Sequence, residues 1–241
     1  ACSENEICVV SIFVNPTQFN NAEDLQKYPR TLQKDAGLLE SLGVHFVFAP
    51  TPEEMYSTEE MQTRFSFDFN GLDEVMEGKM RPGHFNGVVQ VVSRLFELVR
   101  PTRAYFGEKD FQQLAIIRHM VEHSALSSHF NNLKIVGCPI VREASGLALS
   151  SRNERLSDSE KQTAVAISQT LLASVEWAKT DSIEAVQKRV IDTINAIDGL
   201  EVEYYEIVDK STLQPTTTFD NAIGCVTVYC GPVRLIDNIQ Y

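Results

Sequence analysis

Hydrophobic residues in the first half of the chain fall in short, nearly continuous runs separated by stretches with helical spacing. Cys8 to Val14 is almost wholly apolar, the pattern of a strand covered on both faces in a parallel sheet. Thr31 to Leu42 spaces Leu32, Ala36 and Leu39 as a helix does, and Gly43 suits its C-terminus. Val44 to Ala49 reads as the next strand, closed by Pro50 and Pro52. From Thr63 to Phe69, Phe65, Phe67 and Phe69 alternate with polar residues, which predicts a half-exposed strand or extended arm. Asn86 is placed to cap a helix carrying Val88, Val92, Leu95 and Val99, ended by Pro101. A strand at Arg103 to Phe106, a helix bearing Leu114, Ile117 and Val121, and a strand at Leu133 to Gly137 continue the alternation.

This order predicts an α/β fold, a Rossmann-like open parallel sheet with right-handed crossovers and helices on both faces, over residues 1–140. The pattern then changes. Ser157-Asp158-Ser159-Glu160 is a capping box opening a helix whose expected apolar face includes Val165, Leu172 and Val175. A second helix runs from about Ser182 to Ile197 on Ile183, Val186, Val190, Ile194 and Ile197. Strands at Val202 to Val208 and Ile223 to Tyr229 complete a smaller C-terminal α+β domain over 141–241.

Composition narrows the function. With 43% hydrophobic and 22% charged residues in 241, the chain is ordinary globular material, neither collagen-like, low-complexity nor disordered. Lys+Arg number 21 against 33 Asp+Glu, a net charge of −12. Such a field repels polyphosphate backbones and argues against nucleic acid, while leaving room for a local cationic cleft. No apolar run approaches the roughly 20 residues of a membrane span, and no secretory leader is evident. Cys2, Cys8, Cys138, Cys225 and Cys230 are odd in number, scattered and without a CxxC pair, which suits reduced thiols in a cytoplasmic protein.

In open parallel sheets ligands lie beyond the carboxyl ends of the strands, which draws attention to three segments. The loop after the first strand, Asn15-Pro16-Thr17-Gln18-Phe19, offers two uncharged carboxamides for hydroxyls or a carboxylate; it is equally the pattern of a plain polar turn. The turn Gly107-Glu108-Lys109-Asp110 brings an ammonium to a helix start, with Gln113 one turn on. It reads either as an anion site or as a capped helix with a solvated Lys–Asp pair. Gly146 to Asn153 sets Ser150, Ser151 and Arg152 among small residues, either a mobile phosphate clamp like that of class I aminoacyl-tRNA synthetases or a capped turn. Arg81-Pro82-Gly83-His84 could receive a carboxylate. His119 and His123 stand i, i+4 without a third ligand and read as a non-ligating pair.

Five segments occur together and in order: SIFVNPTQF, DLQKYPRT, RPGHFNGV, FGEKDFQQLAIIR and GLALSSRN. In these the chain resembles the pantoate–β-alanine ligase (pantothenate synthetase) family along essentially its whole length, down to Arg234-Leu235-Ile236-Asp237-Asn238. The resemblance implies a nucleotidyltransferase-superfamily enzyme that condenses pantoate with β-alanine through pantoyl adenylate, consuming ATP with Mg²⁺ and releasing AMP and pyrophosphate. By the same resemblance Asn15, Gln18 and Gln113 would take pantoate. Gly107, Glu108, Lys109, Asp110, Val141, Leu149, Ser150, Ser151 and Arg152 would take ATP, with Lys109, Ser150, Ser151 and Arg152 serving catalysis. Arg81 and His84 would meet β-alanine or pyrophosphate. A cytoplasmic homodimer is implied as well. Another small-acid adenylyltransferase, a class I synthetase fragment and a non-catalytic nucleotide- or pantoate-binding domain are the alternatives. The family's HxGH motif is absent; with its strand and helix it would take roughly 30–40 residues before Ala1. The expectation is therefore that such a segment is missing and that this chain alone adenylates poorly.

Overall fold

The computed structural model describes residues 1–19, 22–62, 65–123, 130 and 132–241. β1 (Val9–Ser11) pairs in parallel with β2 (Phe46–Phe48), Val9 opposite Phe46 and Ser11 opposite Phe48. The connection carries a 3-10 turn at Pro16–Gln18, α1 (Ala22–Lys27) and α2 (Leu32–Ser41). Gly43, at φ 75°, ends α2 in the left-handed conformation that glycine adopts without strain. Then follow α3 (Pro52–Met55), α4 (Thr58–Gln62), α5 (Met76–Met80) and α6 (His84–Val99). A second parallel unit consists of β3 (Arg103–Gly107), α7 (Phe111–His123) and β4 (Lys134–Cys138).

Among the described residues these strands make two separate two-stranded parallel sheets that share no ladder. The expected single open sheet is thus present as two parallel pairs. β1 is also shorter than the apolar run suggested, with Ile12 adding only one further bond, to the Phe48 carbonyl. Among the described residues no further strand lies beside them, and Phe46 and Val47 are exposed rather than covered on both faces. Phe65 to Phe69 is an extended arm without a ladder, its aromatics inward and Ser66 and Asp68 exposed; Thr63 lies outside the described residues.

Two expectations about helices are corrected. α6 begins at His84, with Gly83 at its N-cap (φ 83°); the Asn86 carboxamide instead accepts from the Phe67 N–H at 3.2 Å. In the helix opened by Ser157, α8 (Asp158–Trp177), the capping box forms as expected. Its buried stripe, however, is Ala164, Ile167 and Leu171, while Leu172 is 58% exposed. Two adjacent leucines point about 100° apart on a helix, and the stripe that meets the following helix and the C-terminal sheet selects the first.

α9 (Ile183–Asn195) buries Ile183, Val186, Val190 and Ile194. An antiparallel sheet follows, β5 (Leu200–Asp209), β6 (Ala222–Cys230) and β7 (Val233–Gln240), in that order; the last strand was not anticipated. The sheet is two-faced by the alternation of strand side chains. Val226 and Val228 join α8 and α9 in one core cluster, while Ile223 and Cys225 join Phe85, Val88 and Phe111 in the other. A register shift between Val202 and Tyr204 changes the parity of β5, so that Val202 and Tyr205 both face the helices while Tyr204 turns toward the first half. The bulge thereby presents a polar side chain at the junction of the two halves.

Candidate active site

At that junction lies a narrow cleft of about 60 Å³ lined by residues from α5, the start of α6, the turn after β3, and β6 and β7. Among the candidates from sequence it brings together Arg81, His84, Lys109, Asp110, Gln113 and Arg152. Among the described residues no carboxylate pairs with the Lys109 ammonium, so the solvated Lys109–Asp110 pair does not form. The turn is held from β7: Asn238 Nδ2 donates to the carbonyls of Glu108 at 2.8 Å and Lys109 at 3.0 Å.

Asn15 and Gln18 do not line this cleft themselves, but the Gln18 backbone contacts two residues that do. Its carbonyl accepts His84 Nδ1 at 2.8 Å and an Arg81 guanidinium N–H at 3.3 Å. A carbonyl cannot donate, so Nδ1 carries the ring proton; Nε2 then accepts from Arg81 NH1 at 3.2 Å. Burial, with the adjoining Arg81 charge, lowers the His84 pKa to about 4, and the ring is neutral at pH 7. Asn15 stands behind this loop. Its Oδ1 accepts from Tyr56 OH and from Thr17, and its Nδ2 donates to the Gly87 carbonyl and to Gln18 Oε1 at 3.3 Å. Fully engaged within the protein, Asn15 orients Gln18.

Gly107, Glu108, Val141, Leu149, Ser150 and Ser151 do not line this cleft. Glu108 Oε1 lies toward Gly137, 2.8 Å from where a Cβ there would sit. Val141 and Leu149 are exposed, joined by a bond from the Leu149 N–H to the Val141 carbonyl. Ser150 caps a 3-10 helix at Ser151–Arg155 by accepting from the Arg152 N–H. Ser151 Oγ donates to Tyr28 OH at 3.2 Å and borders a second, larger cleft of about 540 Å³ beyond the carboxyl end of β1, with Val14, Tyr28, Arg30 and Lys34. One short helix therefore forms part of both walls, Arg152 on the small cleft and Ser151 on the large one. A volume of 540 Å³ lies within the range of small-molecule sites.

His119 and His123 stack on each other with ring centroids 4.5 Å apart, and among the described residues no group of three or more His, Cys, Asp or Glu could hold a metal ion.

Sequence reading missed a largely buried charge pair at the cleft. Arg234 on β7 donates to both carboxylate oxygens of Glu77 on α5, at 2.8 and 2.7 Å, and its Nε donates to Glu203 at 2.8 Å. Tyr204 OH and Thr227 Oγ1 also donate to Glu77, and Arg81 stands 3.6 Å away. Burial alone would push the Glu77 carboxyl up; the Arg234 bonds and charge, with Tyr204 and Arg81, outweigh it and hold it at about 2. The available signal was period two: Arg234, Ile236 and Asn238 alternate along β7 and all line the cleft. For Glu77 the one local signal was Arg81 at i+4; its partners on the C-terminal sheet are more than a hundred residues away.

A sequence profile of the pantoate-beta-alanine ligase family matches residues 1–240. The pantothenate synthetase of Phocaeicola vulgatus is 60% identical over 244 aligned positions, covering 100% of this chain and 84% of that protein. That of Bacteroides fragilis is 57% identical, covering 99% of this chain and 83% of its own length. Among solved structures, the enzyme from Thermus thermophilus superposes with a TM-score of 0.90 at 43% identity, over 99% of this chain and 85% of that one. The ligase from Francisella tularensis complexed with β-γ ATP and β-alanine gives a TM-score of 0.77 at 35% identity, over 100% of this chain and 81% of that one.

Proposed function

Because the chain belongs to the pantoate–β-alanine ligase family, we propose that it condenses pantoate with β-alanine in two steps driven by ATP. In the first, a pantoate carboxylate oxygen attacks the α-phosphorus and pyrophosphate leaves, giving the acyl adenylate. In the second, the β-alanine amine attacks the acyl carbon, AMP leaves with the C–O bond pair, and the amine gives up a proton to form the amide. Neither step needs a protein nucleophile, so the protein contributes position and charge.

The observation supporting this reading is the convergence of Lys109, Arg81, Arg152 and the uncharged Gln113 on one cleft next to Gln18. Gln18 and Gln113 hold the acid through its hydroxyl and carboxylate, with Asn15 orienting Gln18. Lys109 steadies charge developing at the α-phosphate. Ser150, Ser151 and Arg152 grip phosphate oxygens from the 3-10 helix between the clefts, while Gly107 to Asp110, Val141 and Leu149 contact the nucleoside side. Arg81 and His84 face the entering amine substrate or the departing pyrophosphate. His84, neutral at pH 7 and with both ring nitrogens engaged, acts there by holding Arg81 and the Gln18 carbonyl in place. In this reading residues 141–241 form the lid to an ATP- and pantoate-binding unit at 1–140, and the working form is a cytoplasmic homodimer.

Mg²⁺ would accompany the triphosphate. Asp110 is the cleft carboxylate without an ion pair among the described residues. One such group suits an ion that keeps most of its water and binds chiefly to phosphate oxygens. Bound there it neutralises phosphate charge.

The test is an assay of pyrophosphate and AMP formation in ATP, pantoate and β-alanine. AMP should appear only with all three, and Lys109→Met should lower kcat by roughly 10²–10³-fold, the cost of removing one preorganised stabilising group. Pantoate-independent turnover, or a Lys109→Met variant as active as the parent, would overturn the reading.

A further inference from the structure

We propose that Glu77 is a positioning residue for the acid substrate: gripped by Arg234 of β7, it sets the Arg81 guanidinium against His84, and the two together set the Gln18 carbonyl. The inference rests on the functional reading above for the identity of the acid, though not for the relay itself.

The chain of contacts is continuous. Arg234 spans two carboxylates, Glu77 and Glu203, and its planar fork matches Glu77 oxygen for nitrogen. Glu77 Oε1 also takes Tyr204 and Thr227; Oε2, which receives Arg234 NH1, lies 3.6 Å from Arg81 NH1. That same Arg81 nitrogen donates to His84 Nε2, and the other guanidinium nitrogen bonds the Gln18 carbonyl. His84 closes the circuit at that carbonyl.

Two independent features indicate that the relay is built rather than incidental. Gly78, next to Glu77, has no room for a side chain, since a Cβ would stand 2.0 Å from the Asp73 carbonyl oxygen. The bulge in β5 brings Tyr204 to Glu77 in place of Tyr205. An arginine beside a neutral imidazole has a wide choice of directions. A buried carboxylate behind it, itself fixed by a second arginine, removes that choice.

The test uses the full-length protein and its Glu77→Gln, Arg81→Gln and double variants, with thermal midpoints measured alongside. Glu77→Gln should raise the KM for pantoate about tenfold, with any change in kcat smaller than that in pantoate KM, while leaving the KM for ATP within about threefold. The double variant should be no worse than Arg81→Gln alone, because both substitutions break one relay. Additive effects, or a fall in kcat at unchanged pantoate KM, would overturn the proposal, since a merely structural residue changes the folded fraction. Should Glu77→Gln fail to fold, Arg234→Lys, which keeps the charge and loses the fork, is held to the same pattern.

A second readout needs no turnover. The His84 Nε2 nitrogen resonance in labelled protein should move toward its free-imidazole position in Glu77→Gln and stay fixed in the surface control Glu97→Gln. An unmoved resonance would overturn the relay; absence of AMP formation by the unsubstituted protein would overturn the ligase reading and leave the resonance to decide.

Discussion

Gly87 on α6 lies directly beneath Gln18: a Cβ built on Gly87 would stand 2.8 Å from the Gln18 Cα and 2.6 Å from the Thr17 carbonyl oxygen. The Gly87 carbonyl in turn accepts from Asn15. The loop bearing the acid-binding carboxamide therefore rests on bare helix backbone, and no side chain can intervene.

Gly87→Ala should consequently displace the loop. Both obstructing atoms belong to the backbone and cannot swing aside, so the expected loss is about 1–3 kcal/mol, typical of overpacking, and not the small gain of an ordinary helical Gly→Ala change. Urea unfolding at unchanged m measures it. A variant as stable as the parent, with unaltered pantoate KM, would mean that the loop does not sit where described.

His84 gives stability a sign with pH. Burial and Arg81 lower its folded pKa to about 4 from an ordinary 6.5, so between these values the unfolded chain binds a proton that the folded chain excludes. Stability is therefore undiminished above about pH 6.5 and falls as pH drops toward 4, by on the order of 3 kcal/mol. Glu77, held at about 2 against 4.5, contributes stability above pH 4.5 that is lost as pH falls toward 2. Urea midpoints at pH 7, 5.5 and 4.5 should decline steeply in the parent and less steeply in His84→Asn. Parallel curves for the two would show that His84 titrates normally.

Asn238 should resist its nearest mimic. Its Nδ2 serves two carbonyls of the Glu108–Lys109 turn, and Asn238 is 4% exposed. Asn238→Asp would face those carbonyls with an acceptor and a buried charge, and should destabilise more than Asn238→Ala, which leaves them unbonded at about 1–3 kcal/mol. Both should depress kcat through Lys109. Thermal midpoints ranking Asp above Ala would contradict this geometry.

Arg142 forms a bidentate pair with Asp237 at 2.7 and 2.9 Å, which ties the segment after β4 to β7. Arg142→Lys keeps the charge but not the fork. It should raise the KM for ATP severalfold through the neighbouring Val141, with pantoate KM unchanged. Equal changes in both constants would argue against a local effect on the nucleotide side.

Much of this was legible in local pattern. The Ser157–Glu160 capping box, the α9 stripe of Ile183, Val186, Val190 and Ile194, and the glycine ending α2 are all present. The cap and the glycine depend on contacts within a turn, and the stripe shows itself by the helical period. Lys109, Gln113, Arg81 and His84 could likewise be picked out, because each sits at an element boundary where backbone groups lack partners. The Leu172 error arose where two leucines competed for one face and only the packed neighbours distinguish them. Glu77, Arg234 and Tyr204 escaped notice because the partners that bury them, on α5 and the C-terminal sheet, are distant in sequence.

The sequence by itself determined the long helices α2 and α6 to α9, most of the strands before β7, the chemistry available at their ends and the family to which the chain belongs. Tertiary structure alone decided that β7 closes over the turn after β3, that a bulge aims Tyr204 and not Tyr205 at Glu77, and that two arginines share that carboxylate. Hydrogen bonds within a turn are written in adjacent residues, whereas the pairing of buried charges depends on side chains that meet only after the sheet and both halves have packed.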